Sequence, residues 1–218
     1  ARSDSVMAGT GVHAVRLEAG RDLAKEKPVQ ADVVIGVPDS GIDAAIGYSQ
    51  ESGIAYGIGF LKNKYIGRSF IAPTQQMREN AVRIKLNVIA ETVRNKRVIL
   101  IDDSIVRGTT SRRIVRLLRE AGAKEVHMRV SSPPFRYPCF FGTDVDSREN
   151  LIACRLSTDD EIAREIGADS LAYLSVESAH RISGDDAGIF CDGCFTGVYP
   201  IAIPAGQGKN RFEQHIHR

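Results

Sequence analysis

The chain has 218 residues, 43% of them hydrophobic, which suits one sizeable domain or one domain with appendages. Lys+Arg 29 against Asp+Glu 27 is a near-neutral balance, which argues against nucleic-acid binding by bulk charge. No apolar run approaches the roughly 20 residues that span a bilayer, and no signal peptide opens the chain. A soluble cytoplasmic protein with no membrane partner is therefore expected.

The opening, "ARSDSVMAGTGVHAVRLEAGRDLAKE", has no initiator methionine and raises the expectation of a chain cut from something longer. "ADVVIGVP" (31–38) is a continuous apolar run closed by proline, the pattern of a strand buried on both faces. "DSGIDAAIGYSQESG" follows, with Ile42, Ala45, Ile46 and Ser49 on one helical face and Gly53 as its stop. "IAYGIGF" (54–60) reads as a second strand, weakened by its glycines. Residues 61–80 then lack periodicity and carry Lys62, Lys64, Arg68 and Arg78. A loop of that length in a compact domain is usually a lid or a binding loop. "AVRIKLNVIAETVRNK" (81–96), apolar at 82, 86, 89 and 93, predicts a helix.

A strand at 98–101 comes next, then a loop and a helix with Ile114, Leu117, Leu118 and Ala121 on one face, ending at Gly122. "EVHMRVSS" (125–132) alternates as a strand should. Strand and helix thus alternate, which predicts an α/β fold around a mainly parallel twisted sheet flanked by helices. No internal repeat is apparent. The expected division is a core at 1–133, an irregular appendage at 134–204 with one helix near 158–166, and a flexible tail at 205–218.

"VILIDDSIVRGTTSRR" (98–113) ends a buried strand on two adjacent carboxylates, Asp102 and Asp103. Like charges side by side gain nothing from packing. In open parallel sheets, however, ligands bind beyond the carboxyl ends of the strands. The loop that follows leads into a helix N-terminus, where free N–H groups and the helix dipole favour an anion. Gly108 permits close backbone approach, Ser104, Thr109 and Thr110 add hydroxyls, and Arg107 adds charge. Acceptors for hydroxyls or a divalent cation therefore stand beside a phosphate cradle, as a ribose 5-phosphate requires. An aspartate capping the helix would explain one carboxylate but not two.

"PDSG" (38–41) offers a second anion loop or, more simply, a helix N-cap by Asp39 or Ser40. The basic loop, with Arg83 and Lys85 after it, is either a solvated surface or a lid that stabilises a leaving pyrophosphate. "CDGC" (191–194) with Cys139 makes three candidate thiolates, suited to a metal or redox pair, and structural zinc and iron–sulfur sites both use four ligands. Cys154, in "LIACRLS", fits a buried free cysteine on an apolar strand. His13, His127 and His180 stand alone as surface or packing residues, and His215 and His217 belong to the tail.

"VILIDDSIVRGTT" resembles the phosphoribosyl-pyrophosphate (PRPP) signature of the type I phosphoribosyltransferases. With "VIGVPDSG", "GFLKNKYIGRSFIAPTQQMRE" and "SSPPFRYPCFFGTD", the resemblance narrows to the glutamine PRPP amidotransferase family and runs from about residue 2 to about residue 203. It implies transfer of a phosphoribosyl group from PRPP to ammonia, the first committed step of purine synthesis. It also implies that Asp39, Ser40 and Gly41 hold pyrophosphate, that residues 104 to 110 (Ser104, Ile105, Val106, Arg107, Gly108, Thr109, Thr110) hold the 5-phosphate, and that Ser40, Asp102 and Asp103 place Mg2+. From the lid, Lys62, Tyr65, Arg68, Gln75 and Lys85 are implied to close over substrate. Bacillus-type members carry a [4Fe–4S] cluster, for which Cys139, Cys191 and Cys194 match three ligands, the fourth lying upstream of Ala1. The family's N-terminal glutaminase domain is not covered, so ammonia would come from solution or from a glutaminase partner. AMP and GMP are expected as feedback nucleotides, and a homo-oligomer as the assembly.

Three other readings compete. A nucleobase salvage phosphoribosyltransferase shares the aspartate pair but needs an aromatic hood over the base, and no segment offers one. A non-catalytic PRPP or nucleotide sensor would not need "KNKYIGRSF". A metal-stabilised interaction module built on the cysteines leaves the strongest motif unused.

Overall fold

The computed structural model describes residues 2–62, 86–142, 147–184 and 190–203. A small hairpin, β1 (Val6–Met7) and β2 (Thr10–Gly11), leads into α1 (Val12–Glu26). β3 (Val33–Gly36) and α2 (Ile42–Ser52) follow, then β4 (Phe60–Lys62), β5 (Leu86–Val88) and α3 (Ala90–Val93). The central unit is β6 (Arg97–Asp102), α4 (Thr109–Glu120) and β7 (Glu125–Val130). The remainder comprises α5 (Ile152–Arg155), α6 (Asp159–Ile166), β8 (Ser170–Tyr173), α7 (Val176–Ser183) and α8 (Gly193–Thr196).

Strands β3, β6, β7 and β8 form one parallel sheet in that order. Side chains alternate across a strand, so its two faces build two cores. Val33, Ile35, Val98 and Leu100 pack with Ile114 and Leu118 of α4 and Ile162 and Ile166 of α6. Val34, Ile99 and Ile101 pack with Leu23 of α1 and Ala44 and Tyr48 of α2. Burial on both faces is why β3 and residues 98–101 of β6 read as unbroken apolar runs rather than alternating ones.

The α/β fold with a parallel sheet stands as expected, and α2 and α4 end at the expected glycines, Gly53 and just before Gly122. Several elements differ. In 54–60 only Tyr56 bridges to Val34, and the regular strand begins at Phe60. The helix expected over 81–96 is corrected over 86–96: residues 86–88 are strand β5, antiparallel to β4, and among these described residues only Ala90–Val93 is helical. Pairing with Phe60–Lys62 and the Ile89 N–H to Gly59 carbonyl bond (2.9 Å) outweigh the helical spacing there. Residues 81–85 lie outside the described residues.

Helix α2 buries Asp43, Ala44, Ala45, Gly47 and Tyr48 rather than the face through Ile42 and Ile46, because it packs on α1 as well as on the sheet. The expectation of an irregular appendage is corrected over 151–174. There α5 and α6 join the core, and β8 adds a fourth strand with Val130 opposite Tyr173. Cys154 sits in the short helix α5, not in a strand.

Candidate active site

Strand β6 carries Asp102 to the carboxyl edge of the sheet, where the chain leaves through residues 103–108 and enters α4. Every residue from Asp102 to Ser111, together with Val37 and Ser40, lines one cleft of about 530 Å³. Asp102 is 7% exposed. Burial first, and the neighbouring Asp103 charge second, push its carboxyl up to about 8, although its side chain accepts the Asp103 N–H at 2.9 Å. In this state Asp102 holds a proton at neutral pH. A cation or a set of hydroxyl donors above the pair would shift that balance toward the carboxylate.

The loop closes on Gly108, which has φ +82° and is the N-cap of α4. An L side chain rarely adopts that backbone, and a Cβ here would fall 2.4 Å from Ile152 Cδ1. No side chain caps α4, and none caps α2, whose N-cap is Gly41. By contrast, α6 has a full capping box from Thr158 and Glu161, and the Ser175 hydroxyl caps α7. The two helices that open on the cleft thus leave their first-turn amides unclaimed by capping side chains, as an anion site needs. Neither Asp39 nor Ser40 serves as an N-cap, so that simpler account of "PDSG" is excluded.

Ser104 Oγ lies 3.4 Å from Asp103 Oδ1, Arg107, Thr109 and Thr110 are exposed, and Ile105 turns its side chain into the core. On the other wall, Gly41 is pressed against β6, where a Cβ would meet the Ile101 carbonyl oxygen at 2.5 Å. The loop's amides therefore sit against the strand that delivers the acidic pair. Asp39 projects outward and pairs with Lys62 Nζ at 2.5 Å, tying strand β4 to the loop. A neighbouring cavity of about 570 Å³ shares Val37, Thr109 and Thr110 with the cleft and adds Lys62, Leu86 and Arg113.

Sequence reasoning missed Arg113, Ser111 and Val37. Arg113 could have been found four residues after Thr109 on the same helix. Tyr65, Arg68, Gln75 and Lys85 lie outside the described residues.

The cysteines occupy a separate place. Burial raises the Cys194 thiol to about 11, with Cys139, Cys191 and Asp192 adding to it, so the three sulfurs share one neighbourhood. Arg136 and Tyr137 N–H both donate to the Cys194 carbonyl, and Cys154 Sγ donates to the Arg136 carbonyl at 3.0 Å. Among the described residues no three His, Cys, Asp or Glu side chains are placed to hold a metal ion. His127 bonds Ser170 and Glu125, His180 bonds Asp192, and His13 bonds Asp43, consistent with structural roles. Among the described residues no helix is long and apolar enough to cross a membrane.

A family model for the phosphoribosyl transferase domain matches residues 14–132, the stretch that builds both loops. The amidophosphoribosyltransferase of Synechocystis sp. is 58% identical over 203 residues, covering 93% of this chain and 41% of that protein. That of Archaeoglobus fulgidus is 56% identical over 207 residues, 94% of this chain and 45% of the relative. Among solved structures, the Bacillus subtilis glutamine PRPP amidotransferase complexed with ADP and GMP superimposes with a TM-score of 0.84 at 52% identity. It covers 95% of this chain and 46% of that one. A structure described as the allosteric regulatory enzyme of purine biosynthesis gives 0.87 at 49%, covering 100% and 47%. The chain spans less than half the length of these relatives. The match falls on the acidic pair, the glycine-hinged loop and the sheet edge that joins them, and the chain belongs to the phosphoribosyltransferase family.

Proposed function

We propose that this chain transfers the phosphoribosyl group of PRPP to ammonia, giving 5-phosphoribosylamine and pyrophosphate, the opening step of purine synthesis. The observation that carries this reading is one cleft holding both an acidic pair, buried Asp102 and half-buried Asp103, and a loop running into an uncapped helix N-terminus. The ammonia lone pair attacks C1 with inversion, the bond from C1 to the pyrophosphate oxygen breaks toward pyrophosphate, and the new ammonium loses a proton to solvent. Ammonia is already nucleophilic, so positioning and electrostatics supply most of the catalysis.

Asp102 and Asp103 hold the ribose hydroxyls, Ser104 to Thr110 receive the 5-phosphate, and Asp39 to Gly41 with Lys62 receive pyrophosphate. Ser40, Asp102 and Asp103 are the side chains suited to hold Mg2+, which would neutralise charge on the leaving group. Tyr65, Arg68, Gln75 and Lys85 complete the lid in this reading. Purine nucleotides compete for the same cleft, a reading supported by the ADP and GMP in the Bacillus subtilis relative. Glutamine dependence would require a glutaminase domain or partner, and a homo-oligomer is the expected assembly.

The resemblance alone supports Cys139, Cys191 and Cys194 as three ligands of a [4Fe–4S] cluster, which takes four: the three share one neighbourhood but are not placed here to hold a metal ion. Binding would have to release the Cys194 thiol proton that burial now retains. A brown protein with stoichiometric iron would support this reading, and a colourless, iron-free one would exclude it.

The main test is pyrophosphate release from PRPP and Mg2+ with either ammonium or each purine base. Release with ammonium alone is expected. Release with adenine or guanine but not ammonium would instead establish a salvage enzyme.

A further inference from the structure

The phosphate loop does not hold its shape alone. Val106 turns its carbonyl away from the cleft to accept the N–H of Ile152 at 2.9 Å. Ile152 is the first residue of α5, so its N–H is one of the helix donors that lack an internal partner. In a trans peptide the carbonyl of one residue and the N–H of the next point in opposite directions. Anchoring the Val106 carbonyl on α5 therefore aims the Arg107 N–H at the opposite side, where the cleft lies. The Ile152 side chain, 1% exposed, extends beneath Gly108 and fills the space a Cβ would occupy. Backbone bond and side chain thus fix both ends of the Val106–Gly108 segment from behind.

We propose that Ile152 is a positioning residue for 5-phosphate binding: it orients the amides of residues 107–108 without touching the substrate. No local pattern announces this, since the residue is 46 positions from Val106 in sequence. The inference rests on the phosphate-loop reading given above.

Two variants separate the two contacts. Ile152→Ala keeps the N–H and removes the side chain. Ile152→Pro deletes the N–H at the first helical position, where proline is tolerated. Ribose 5-phosphate and Mg-pyrophosphate binding are measured by calorimetry on the whole chain, with thermal melts to confirm folding. Ribose 5-phosphate is expected to weaken about tenfold in Ile152→Ala and further in Ile152→Pro, the loss of one oriented donor being worth about that factor. Pyrophosphate affinity should stay within about twofold. In turnover, KM for PRPP should rise more than kcat falls, the mark of lost binding, and Ile152→Val should restore most of the affinity.

Unchanged ribose 5-phosphate affinity in a folded Ile152→Ala protein would overturn the proposal, as would equal weakening of both ligands. If Ile152→Ala does not fold, Ile152→Leu carries the test: moving the Cδ1 methyl from beneath Gly108 should lower the ratio of ribose 5-phosphate to pyrophosphate affinity, and a ratio unchanged in the folded Ile152→Leu protein overturns the proposal. A wild-type chain that binds neither ribose 5-phosphate nor PRPP refutes the phosphate-loop reading itself, and this inference with it.

Discussion

Asp102 is held by the fold against its own chemistry. Its carboxyl is raised to about 8, chiefly by burial, from an unfolded value near 4, so the folded ligand-free protein binds a proton that the unfolded chain releases. The stability this contributes is present below about pH 4 and is lost as pH rises through about 8. Asp102→Asn, neutral throughout, should flatten the fall in melting temperature between about pH 5 and about pH 8.5, with a gain at the alkaline end of at least about 1 kcal/mol, the scale of one unmet buried polar group. Scanning calorimetry of both proteins across that range checks it. An equal slope in the two would place the titration elsewhere. Lys62 makes the opposite case. Its pair with Asp39 is exposed on both sides, and such pairs contribute about 1 kcal/mol or less. Lys62→Ala should therefore leave the melting temperature almost unchanged while lowering kcat/KM for PRPP about a hundredfold, as loss of one charge-stabilising group does.

At the scale of elements, the loop at 38–41, proposed above to hold pyrophosphate, is constrained by a contact between two helices. Gly20 and Gly47 let α1 and α2 meet at their backbones, and a Cβ on Gly47 would lie 1.9 Å from the Leu17 carbonyl oxygen. Gly47→Ala must push α2 away, and with it the loop at its N-terminus. We expect a loss of about 3 kcal/mol, the upper range for overpacking. That corresponds to about 6–12 °C for a chain of this size, together with weaker pyrophosphate binding; a melt and a titration read both. The same contact explains what the sequence concealed. α1 is packed through Ala19, Gly20 and Ala24 as well as Leu23, so small residues replace the large apolar stripe that announces a helix. α2 announced itself, but its face looked centred on Ile42 and Ile46 because Gly47 and Ala44 carry no hydrophobic signal. The stretch at 86–93 has helical spacing and became strand β5 and one turn, since its partner Phe60–Lys62 is distant in sequence and invisible to any local pattern.

For the molecule as a whole, the site was more legible than the boundaries. A strand, two carboxylates and a glycine-hinged loop are contiguous in sequence, and βαβ geometry alone delivers them to one edge. The brace behind that loop and the fourth strand of the sheet come from beyond residue 133, where the pattern weakens into short elements and turns. β8 pairs with β7 from His127 opposite Ser170 to Val130 opposite Tyr173. Ile152, Ile162, Ile166 and Leu171 belong to the same apolar cluster as Val98 and Leu100. A chain ending at residue 133 would leave β7 as an open edge and would expose Met128 and Val130, both fully buried in the intact fold. Its loop at 103–108 would also lose the Ile152 contact. Such a fragment should show no cooperative thermal transition by circular dichroism, should be cut rapidly by protease, and should bind no ribose 5-phosphate. A fragment that melted cooperatively and kept that affinity would show instead that residues 134–203 are an accessory to a self-sufficient core, and that the loop's shape is set by β6 and α4 alone.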